Sequence, residues 1–195
     1  MEPLVTVITP TIPERRTLLR DRCIPSVQKQ DYPNIEHIVV GDGEVPDVLD
    51  LYSCRSITTG RNWHRFSGKK SWGAMPRVLG TLLARGGYIT YIDDDDELLP
   101  GHVSKLVALL EKTGSDFAVS QSQRLWADGR EDIIHGVMEH GRIGTCSVLH
   151  KASCLLARNW AHDGYAEDWE LFRAWDKAGL KHCHLPEITA IIHKA

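Results

Sequence analysis

Residues 88–97 read Tyr-Ile-Thr-Tyr-Ile-Asp-Asp-Asp-Asp-Glu, an apolar segment that runs directly into five consecutive carboxylates. The β-branched and aromatic residues at 88–92 are typical of a buried strand, and the glycine pair at 86–87 ends the preceding helix. In open parallel sheets, ligands bind beyond the carboxyl ends of the strands. This stretch therefore predicts an α/β fold with an acidic ligand site at the end of a strand.

Strands and helices alternate on both sides of this stretch. The hydrophobic periodicity predicts a strand at 4–9 that ends at Pro10, a helix after it, a strand at 36–41, a helix at 74–85, the strand at 88–92, a helix at 101–112 and a strand at 117–120. A hairpin with its turn at 128–129 and an aromatic helix at 167–179 follow. The alternation predicts a Rossmann-like, mixed but mostly parallel sheet flanked by helices.

The length and composition predict one soluble domain. The 195 residues include 23 Lys and Arg against 26 Asp and Glu, and a net charge of −3 argues against duplex nucleic acid as the main partner. No apolar run is long enough for a membrane span, and the first residues lack the features of a signal peptide. Five cysteines without a CxxC pair indicate reduced thiols. We therefore expect a cytoplasmic protein.

The acidic run at 93–97 predicts a metal site. Adjacent carboxylates repel one another, and a divalent cation with oxygen ligands relieves that repulsion. Mg²⁺ and Mn²⁺ typically keep one or two protein carboxylates and take their remaining ligands from water and substrate phosphates. The alternative is a solvated acidic turn before the next helix, whose N-terminus favours negative charge. We favour the metal because the run follows so apolar a strand.

Other polar residues follow the predicted strands or begin the last helix. Thr9, Pro10 and Thr11 follow the first strand, and Asp42 follows the second. Glu167 and Asp168 begin the aromatic helix, where carboxylates alone would be interpreted as a cap. Cys146, Cys154 and residues 182–184 (His-Cys-His) suggest zinc, but their spacing is not that of a zinc finger, so a structural role is favoured.

Five motifs in a fixed order carry a resemblance to a known family. They are residues 5–11 (VTVITPT), 26–36 (SVQKQDYPNIE), 38–43 (IVVGDG), 91–96 (YIDDDD) and 166–171 (AEDWEL). In this order they resemble the motifs of glycosyltransferase family 2, inverting enzymes with the GT-A fold. Gly41 stands where the family usually has the first of two acids, and residues 76–80 keep Arg77 but lack the asparagine of the family's helix start.

The resemblance implies a single GT-A domain over residues 1–195, with a donor-binding half at 1–97 and an acceptor and catalytic-base half at 98–195. It implies a nucleotide-diphosphate sugar donor, with a UDP-sugar favoured, Mn²⁺ or Mg²⁺ as cofactor, and a glycan or other hydroxyl-bearing acceptor. The chain ends at Ala195, so we expect the acceptor to be recognised by the loops between Gln121 and Asp168 or by a partner chain, such as a second copy in a homodimer.

The resemblance also implies roles for individual residues. The nucleoside and donor would be held by Thr9, Pro10, Thr11, Asp42, Arg77, Asp93 and Asp94, with Asp42 accepting a hydrogen bond from the base. The metal would be held by Asp93, Asp95 and Asp96, with Asp95 favoured as the direct ligand and His193 as a further one. Asp168 would be the general base, with Glu167 beside it. This division follows the chemistry: the cation stabilises the leaving diphosphate, while a separate carboxylate takes the acceptor's proton.

Two other functions remain open from the sequence. A non-catalytic module that binds a nucleotide sugar or glycan could keep the same fold without turnover. A sugar-phosphate nucleotidyltransferase has a related architecture, but it usually carries a Gly-rich loop after the first strand. Residues 9–14 contain no glycine, which counts against that function.

Overall fold

The computed structural model describes residues 2–44, 53–63, 73–160 and 167–194, and of Glu167 it describes only the backbone. The strands in these ranges are β1 (Val5–Thr11), β2 (Ile35–Gly41), β3 (Arg55–Thr58), β4 (Tyr88–Tyr91), β5 (Glu97–Leu98), β6 (Phe117–Trp126), β7 (Glu131–Ile134), β8 (Val148–Lys151) and β9 (His182–Lys194). They form one sheet in the order β3-β2-β1-β4-β8-β6-β9-β5, with β7 paired to β6.

Helices flank this sheet. The first is a continuous helical segment made of a 3-10 turn (Pro13–Arg15), α1 (Arg16–Leu18), a π-helical turn (Leu19–Cys23) and α2 (Ile24–Gln28). The longer helices are α3 (Ala74–Leu83), α4 (His102–Thr113) and α5 (Glu167–Lys177), and short 3-10 turns lie at Thr145–Ser147 and Ala152–Leu156. No helix within the described residues is long and apolar enough to cross a membrane.

The sheet is mixed, as the sequence predicted. Its two longest ladders, β1 with β2 and β6 with β9, are parallel, and β1 also pairs in parallel with β4. Strand β8 pairs antiparallel with β4 and β6, and β7 forms the expected hairpin with β6. The carboxyl ends of β1, β2 and β4 therefore meet at one edge, where the acidic residues follow β4.

The first strand does not end at Pro10, as the sequence predicted, but continues to Thr11. Ile8 accepts a hydrogen bond from the backbone of Ile92 on the β4 side, and Pro10, two residues later, faces that same side beyond the end of β4. Because no ladder partner is needed there, the missing N–H of proline costs little. The strand thus carries Thr11 to the ligand-binding edge.

The second half of the sheet also differs from the prediction. Residues 117–126 form one ten-residue strand rather than a strand followed by a separate hairpin arm. Strand β9 contains an irregularity beside it: β9 advances from Leu185 to Ala190 while β6 advances only from Ser120 to Ser122. The bulge includes Pro186, which lacks the N–H that a regular ladder requires.

Buried side chains from helices and strands hold these elements together. On α5, Phe172 and Trp175 are fully buried, and the Trp175 ring lies 5.5 Å from that of Phe117 on β6. On α3, Gly80 packs so closely against β1 that a Cβ added to it would lie 2.5 Å from Cγ2 of Ile8. The packing fixes both helices against the strands whose ends carry the polar residues.

Candidate active site

Three carboxylates form a compact group after β4. Asp93, Asp95 and Asp96 each offer one oxygen, and these oxygens lie within 4.8 Å of one another. Within the described part of the chain, no other set of three or more His, Cys, Asp or Glu side chains comes together in this way. Carboxylate oxygens at this spacing suit a hard divalent cation such as Mg²⁺ or Mn²⁺.

Asp96 is the buried member of this acidic group. Its Oδ1 accepts a hydrogen bond of 2.9 Å from the backbone N–H of His193. Burial first, and then the charges of Asp93 and Asp95, raise the pKa of Asp96 well above its ordinary value. A cation bound by these three residues would remove that repulsion, so the donor set and its electrostatics fit the metal that the sequence predicted.

Asp94 is not a member of the acidic group, although the sequence placed all four aspartates in one run. Its Oδ2 accepts a hydrogen bond of 2.8 Å from Thr11, and its Oδ1 accepts one of 2.9 Å from Arg15. Burial raises the pKa of Asp94 to about 6 in spite of these donors. The side chain therefore joins the acidic loop to the end of β1.

Among the described residues, three arginines contact the acidic loop. Nη1 of Arg15 donates to both Asp94 and Asp95 across 2.9 Å, and Arg22, in the π-helical turn, donates to the backbone carbonyl of Asp95 across 2.7 Å. Arg77 of α3 donates to Asp93, and its guanidinium lies 4.8 Å from the ring centre of Trp160. The sequence identified Arg77 but missed Arg15 and Arg22, because nothing in the sequence pairs them with acids more than 70 residues away.

The predicted nucleoside-binding residues divide into two groups. Asp42 follows β2 and accepts a hydrogen bond of 2.8 Å from the backbone of Trp63, while its own N–H donates to the carbonyl of Thr11. Pro10 is buried close to Gly73, at the start of α3. Thr9, by contrast, is fully buried, with its hydroxyl 2.8 Å from His37 and 3.5 Å from Cys23. The hydroxyl of Thr9 therefore makes its contacts inside the protein and not at the ligand-binding edge.

Asp168 lies in the first turn of α5. Its Oδ2 accepts a hydrogen bond of 3.1 Å from the hydroxyl of Thr145, and its Oδ1 accepts one from the backbone of Trp169. The side chain of Glu167, predicted beside it, lies outside the described residues. Thr145 is a contact that the sequence did not reveal, because it stands in a short 3-10 turn with no motif around it.

The 3-10 turn at Thr145–Ser147 lies between Asp168 and β4, the strand that the acidic group follows. Thr145 contacts Asp168, and the turn packs against β4 and β9. Its next residue, Cys146, is buried, and burial, followed by the charges of Asp96 and Asp93, raises the pKa of the Cys146 thiol well above its ordinary value. One turn thus contacts the predicted base and packs against the strand that leads to the predicted metal ligands.

The ring of His193 lies outside the acidic group. Its Nε2 is 2.9 Å from Glu97, while its backbone N–H binds Asp96. The residues considered for zinc, for which a structural role was favoured, do not come together within the described part of the chain. Cys154 is buried against the carbonyl of Asp116, and His182 is an exposed residue stacked on Phe117. The cysteines are all free thiols.

Sequence comparison decides the family. The family model described as Glycosyl transferase family 2 matches residues 6–130, which include the strand ends, the acidic loop and Arg77. The chain belongs to glycosyl transferase family 2. WcaA of Escherichia coli is 36% identical to it over 107 residues, which are 54% of this chain and 37% of that protein. The GalNAc(5)-diNAcBac-PP-undecaprenol β-1,3-glucosyltransferase of Campylobacter jejuni is 30% identical over 117 residues, 60% of this chain and 36% of that protein.

Solved structures show that this family 2 chain has the GT-A fold. TarS 1–349 of Staphylococcus aureus in complex with UDP-GlcNAc matches with a TM-score of 0.79 and 16% identity over 98% of this chain and 59% of that one. The mannosyltransferase PcManGT of Pyrobaculum calidifontis, in complex with GDP-Man and Mn²⁺, matches with a TM-score of 0.71 and 14% identity over 98% and 57%. The chain spans little more than a third of the two curated relatives named above.

Proposed function

We propose that the chain is a metal-dependent inverting glycosyltransferase that moves a sugar from a nucleotide-diphosphate donor, with a UDP-sugar favoured, to an acceptor hydroxyl. The observation that carries the proposal is the compact group of Asp93, Asp95 and Asp96 at the end of β4. It lies at the same sheet edge as Asp42, and the turn that contacts Asp168 packs against β4, the strand that the acidic group follows. The two solved relatives with bound UDP-GlcNAc and GDP-Man support a nucleotide-sugar donor.

In this proposal the donor lies across the ends of β1, β2 and β4. Asp42 accepts a hydrogen bond from the base, and Thr11 and Pro10 border the nucleoside. Arg77 and the acidic group surround the diphosphate, with Asp95 as the favoured direct ligand of the cation and His193 as a further ligand if its ring leaves Glu97. A bound Mn²⁺ or Mg²⁺ supplies Lewis-acid stabilisation of the charge that develops on the leaving diphosphate.

Asp168 is the proposed general base. Two donors fix its carboxylate, and each of its oxygens still has a lone pair for a proton. It accepts the proton of the acceptor hydroxyl as that oxygen attacks the anomeric carbon from the face opposite the diphosphate. A single displacement of this kind inverts the anomeric configuration.

The acceptor half and the cellular setting belong to the same proposal. We place donor binding in residues 1–97 and the acceptor and base in residues 98–195, where the loops between Gln121 and Asp168, or a second copy of the chain, would contact the acceptor. We also propose a cytoplasmic location. The cytoplasm contains nucleotide sugars and keeps thiols reduced, which suits the five free cysteines of the chain. Cell fractionation and the molar mass in solution test these two points.

Calorimetry with nucleotides tests the donor site. UDP, GDP, CDP and dTDP are titrated into the wild type with Mn²⁺, with Mg²⁺ or with EDTA. We expect metal-dependent binding of one nucleotide, with UDP favoured, and loss of that metal dependence in Asp95→Asn. Asp132→Asn is the matched control, because it removes a carboxylate of the hairpin that pairs with Arg124. Equal nucleotide binding in EDTA and in Mn²⁺ would contradict the metal site.

Product analysis tests the reaction. The nucleotide sugar that binds is incubated with candidate acceptors, and the wild type is compared with Asp168→Asn. Transfer with inverted configuration that is lost in Asp168→Asn supports the proposal, whereas wild-type rates in the variant would exclude Asp168 as the base. Donor binding with neither transfer nor hydrolysis would favour a non-catalytic module. Release of pyrophosphate from a nucleoside triphosphate and a sugar phosphate would favour a nucleotidyltransferase.

A further inference from the structure

We propose that, in the nucleotide-free protein, the guanidinium of Arg15 neutralises Asp95 in place of the divalent cation. Arg15 thereby makes binding of the divalent cation depend on the nucleotide. Arg15 holds Asp94 and Asp95 together in the free protein and releases Asp95 when cation and diphosphate bind together. The inference rests on the proposed function, since it concerns the same site. It assigns a coupling role to a residue outside all the motifs in the sequence.

The contacts of Arg15 are unusual in that one nitrogen serves two carboxylates. Its Nη1 lies 2.9 Å from Oδ1 of Asp94 and 2.9 Å from Oδ2 of Asp95. The side chains of Asp94 and Asp95 are 4% and 23% exposed, but that of Arg15 is 44% exposed. The guanidinium is thus the partner that can move, because it lies on the solvent side of carboxylates held by the loop.

Asp95 cannot keep its ion pair with Arg15 at full strength and coordinate a divalent cation at the same time. The oxygens of Asp93, Asp95 and Asp96 lie within 4.8 Å of one another, so a cation among them would stand a few ångströms from the guanidinium. Like charges at such a distance repel even near the protein surface. Without a nucleotide, the cation must therefore compete with Arg15 for Asp95.

A diphosphate relieves this competition. A nucleoside diphosphate on the cation brings two or more negative charges to the mouth of the acidic loop, and a guanidinium pairs well with phosphate oxygens. Arg15 then exchanges Asp95 for phosphate, while Asp94 keeps the hydrogen bond from Thr11. Cation and nucleotide each make the other bind more tightly, and the two coupling factors are equal by linkage.

The other two arginines of the loop do not need to move. Arg77 is 4% exposed, contacts Asp93 and stacks on Trp160, so it is fixed in the interior. Arg22 donates to the backbone carbonyl of Asp95, which leaves the carboxylate of that residue available. Arg22 also lies 3.8 Å from Glu97, which is not a member of the acidic group. Arg22→Gln is therefore a matched control: it removes the same charge from beside the same loop and leaves both contacts of Arg15 in place.

The experiment measures binding of Mn²⁺ and UDP to the wild type, Arg15→Gln, Arg15→Lys and Arg22→Gln at pH 7.5. Electron paramagnetic resonance of free Mn²⁺ gives the affinity for the metal alone, and calorimetry gives the affinity for UDP in EDTA and in saturating Mn²⁺. We expect Arg15→Gln to bind Mn²⁺ alone about 5- to 10-fold more tightly than the wild type, as expected for removing two partly exposed ion pairs. In Arg15→Gln, the factor by which saturating Mn²⁺ raises the affinity for UDP should fall, relative to the wild type, by about the same 5- to 10-fold.

The controls separate this inference from the proposed function. Arg15→Lys and Arg22→Gln are expected to stay within about 2-fold of the wild type for Mn²⁺ alone, and matching thermal midpoints show that all variants are folded. Unchanged or weaker Mn²⁺ binding in Arg15→Gln, with metal-dependent UDP binding intact in the wild type, overturns the role of Arg15 and leaves the proposed function standing. A wild type in which no nucleotide tested shows metal-dependent binding overturns both.

Discussion

The hydroxyl of Thr145 donates to Oδ2 of Asp168 across 3.1 Å, and this contact connects the first turn of α5 to the interior of the sheet. The turn that carries Thr145 is itself anchored, since the hydroxyl of Ser147 donates to the carbonyl of Gly144 and that of Ser120 donates to the carbonyl of Ser147. The orientation of the proposed base is therefore set by a buried part of the fold.

Thr145→Val is expected to lower kcat about 5-fold, because the hydrogen bond that orients the Asp168 carboxylate is worth roughly 1 kcal/mol. The KM for the donor should be unchanged, since the proposed donor residues lie at the ends of β1, β2 and β4 and not in the turn that carries Thr145. Steady-state transfer or donor hydrolysis measures both quantities. Thr145→Ser keeps the hydroxyl and should retain wild-type kcat; equal rates in the valine and serine variants would exclude a positioning role.

Gly80→Ala is expected to destabilise the protein by about 1 to 3 kcal/mol. Alanine favours a helix interior by about 1 kcal/mol, but the added Cβ would lie 2.5 Å from Cγ2 of the fully buried Ile8, and the strain of overpacking is larger. Urea denaturation gives the free energy of unfolding. Gly87→Ala is the control, because nothing lies within 4 Å of the position of its Cβ and its stability should change by less than about 0.5 kcal/mol.

The three buried histidines are expected to lower the stability of the protein as the pH falls from 6.5 towards 4, against an opposite contribution from two buried aspartates, Asp94 and Asp96, whose raised pKa values favour the folded state at low pH. Burial lowers the pKa of His37, His102 and His150 from 6.5 to about 4. Below pH 6.5 the unfolded chain takes up protons that the folded chain does not, so each histidine removes up to about 3 kcal/mol from the free energy of unfolding by pH 4. Denaturation at a series of pH values measures the slope.

His102 identifies one contributor to this slope. Thr189 donates its hydroxyl hydrogen to Ser120, so His102 donates from Nδ1 to Thr189 and carries no proton on its buried Nε2. His102→Asn should make the plot of the free energy of unfolding against pH less steep between pH 6.5 and 4, by the equivalent of about one proton. His135→Asn, at an exposed position, serves as the control, and an equal change in both variants would contradict the assignment.

Asp96→Asn should stabilise the protein in EDTA at pH 7.5 while weakening Mn²⁺ binding. Burial raises the folded-state pKa of Asp96, so the stability that its neutral form supplies at low pH is lost as the pH rises through that pKa. Asparagine removes the cost of burying or protonating the carboxyl group and keeps an oxygen for the N–H of His193, a gain on the order of 2 kcal/mol. Thermal unfolding in EDTA and in Mn²⁺ measures the two effects, and destabilisation in EDTA would show that the charge is not the dominant cost.

Most of the strands and the acidic loop were predictable because they depend on local pattern. The apolar run at 88–92 followed by acids predicts both β4 and the acidic loop, and alternation along the chain predicts a mixed sheet. Pro10 misled the prediction because a proline tolerates a strand position that has no neighbour on one side, and only the assembled sheet shows that β4 ends there. The sequence likewise does not reveal that the hydroxyl of Thr9 turns towards His37.

The contacts between distant segments were not predictable from the sequence. Arg15 and Asp94 are 79 residues apart, and Thr145 and Asp168 are 23 apart with no repeating pattern between them. Within the acidic run, composition alone does not distinguish Asp94, which turns to Thr11 and Arg15, from Asp93, Asp95 and Asp96. Packing of the helical segment against the loop makes that distinction.

The irregularity in β9 restricts how the length of this chain can vary. Between Leu185 and Ala190, β9 advances five residues while β6 advances two, so β9 has three extra residues. Because side chains alternate between the two faces of a strand, an odd number of extra residues reverses which residues of β9 face each side of the sheet. Removing one residue there would move the side chain of Ile192 to the opposite face of the sheet. It would also take the backbone N–H of His193 away from Asp96. Insertions at the 128–129 turn would disturb neither, so length variants selected from a library for activity should gather at the hairpin and be absent from the bulge.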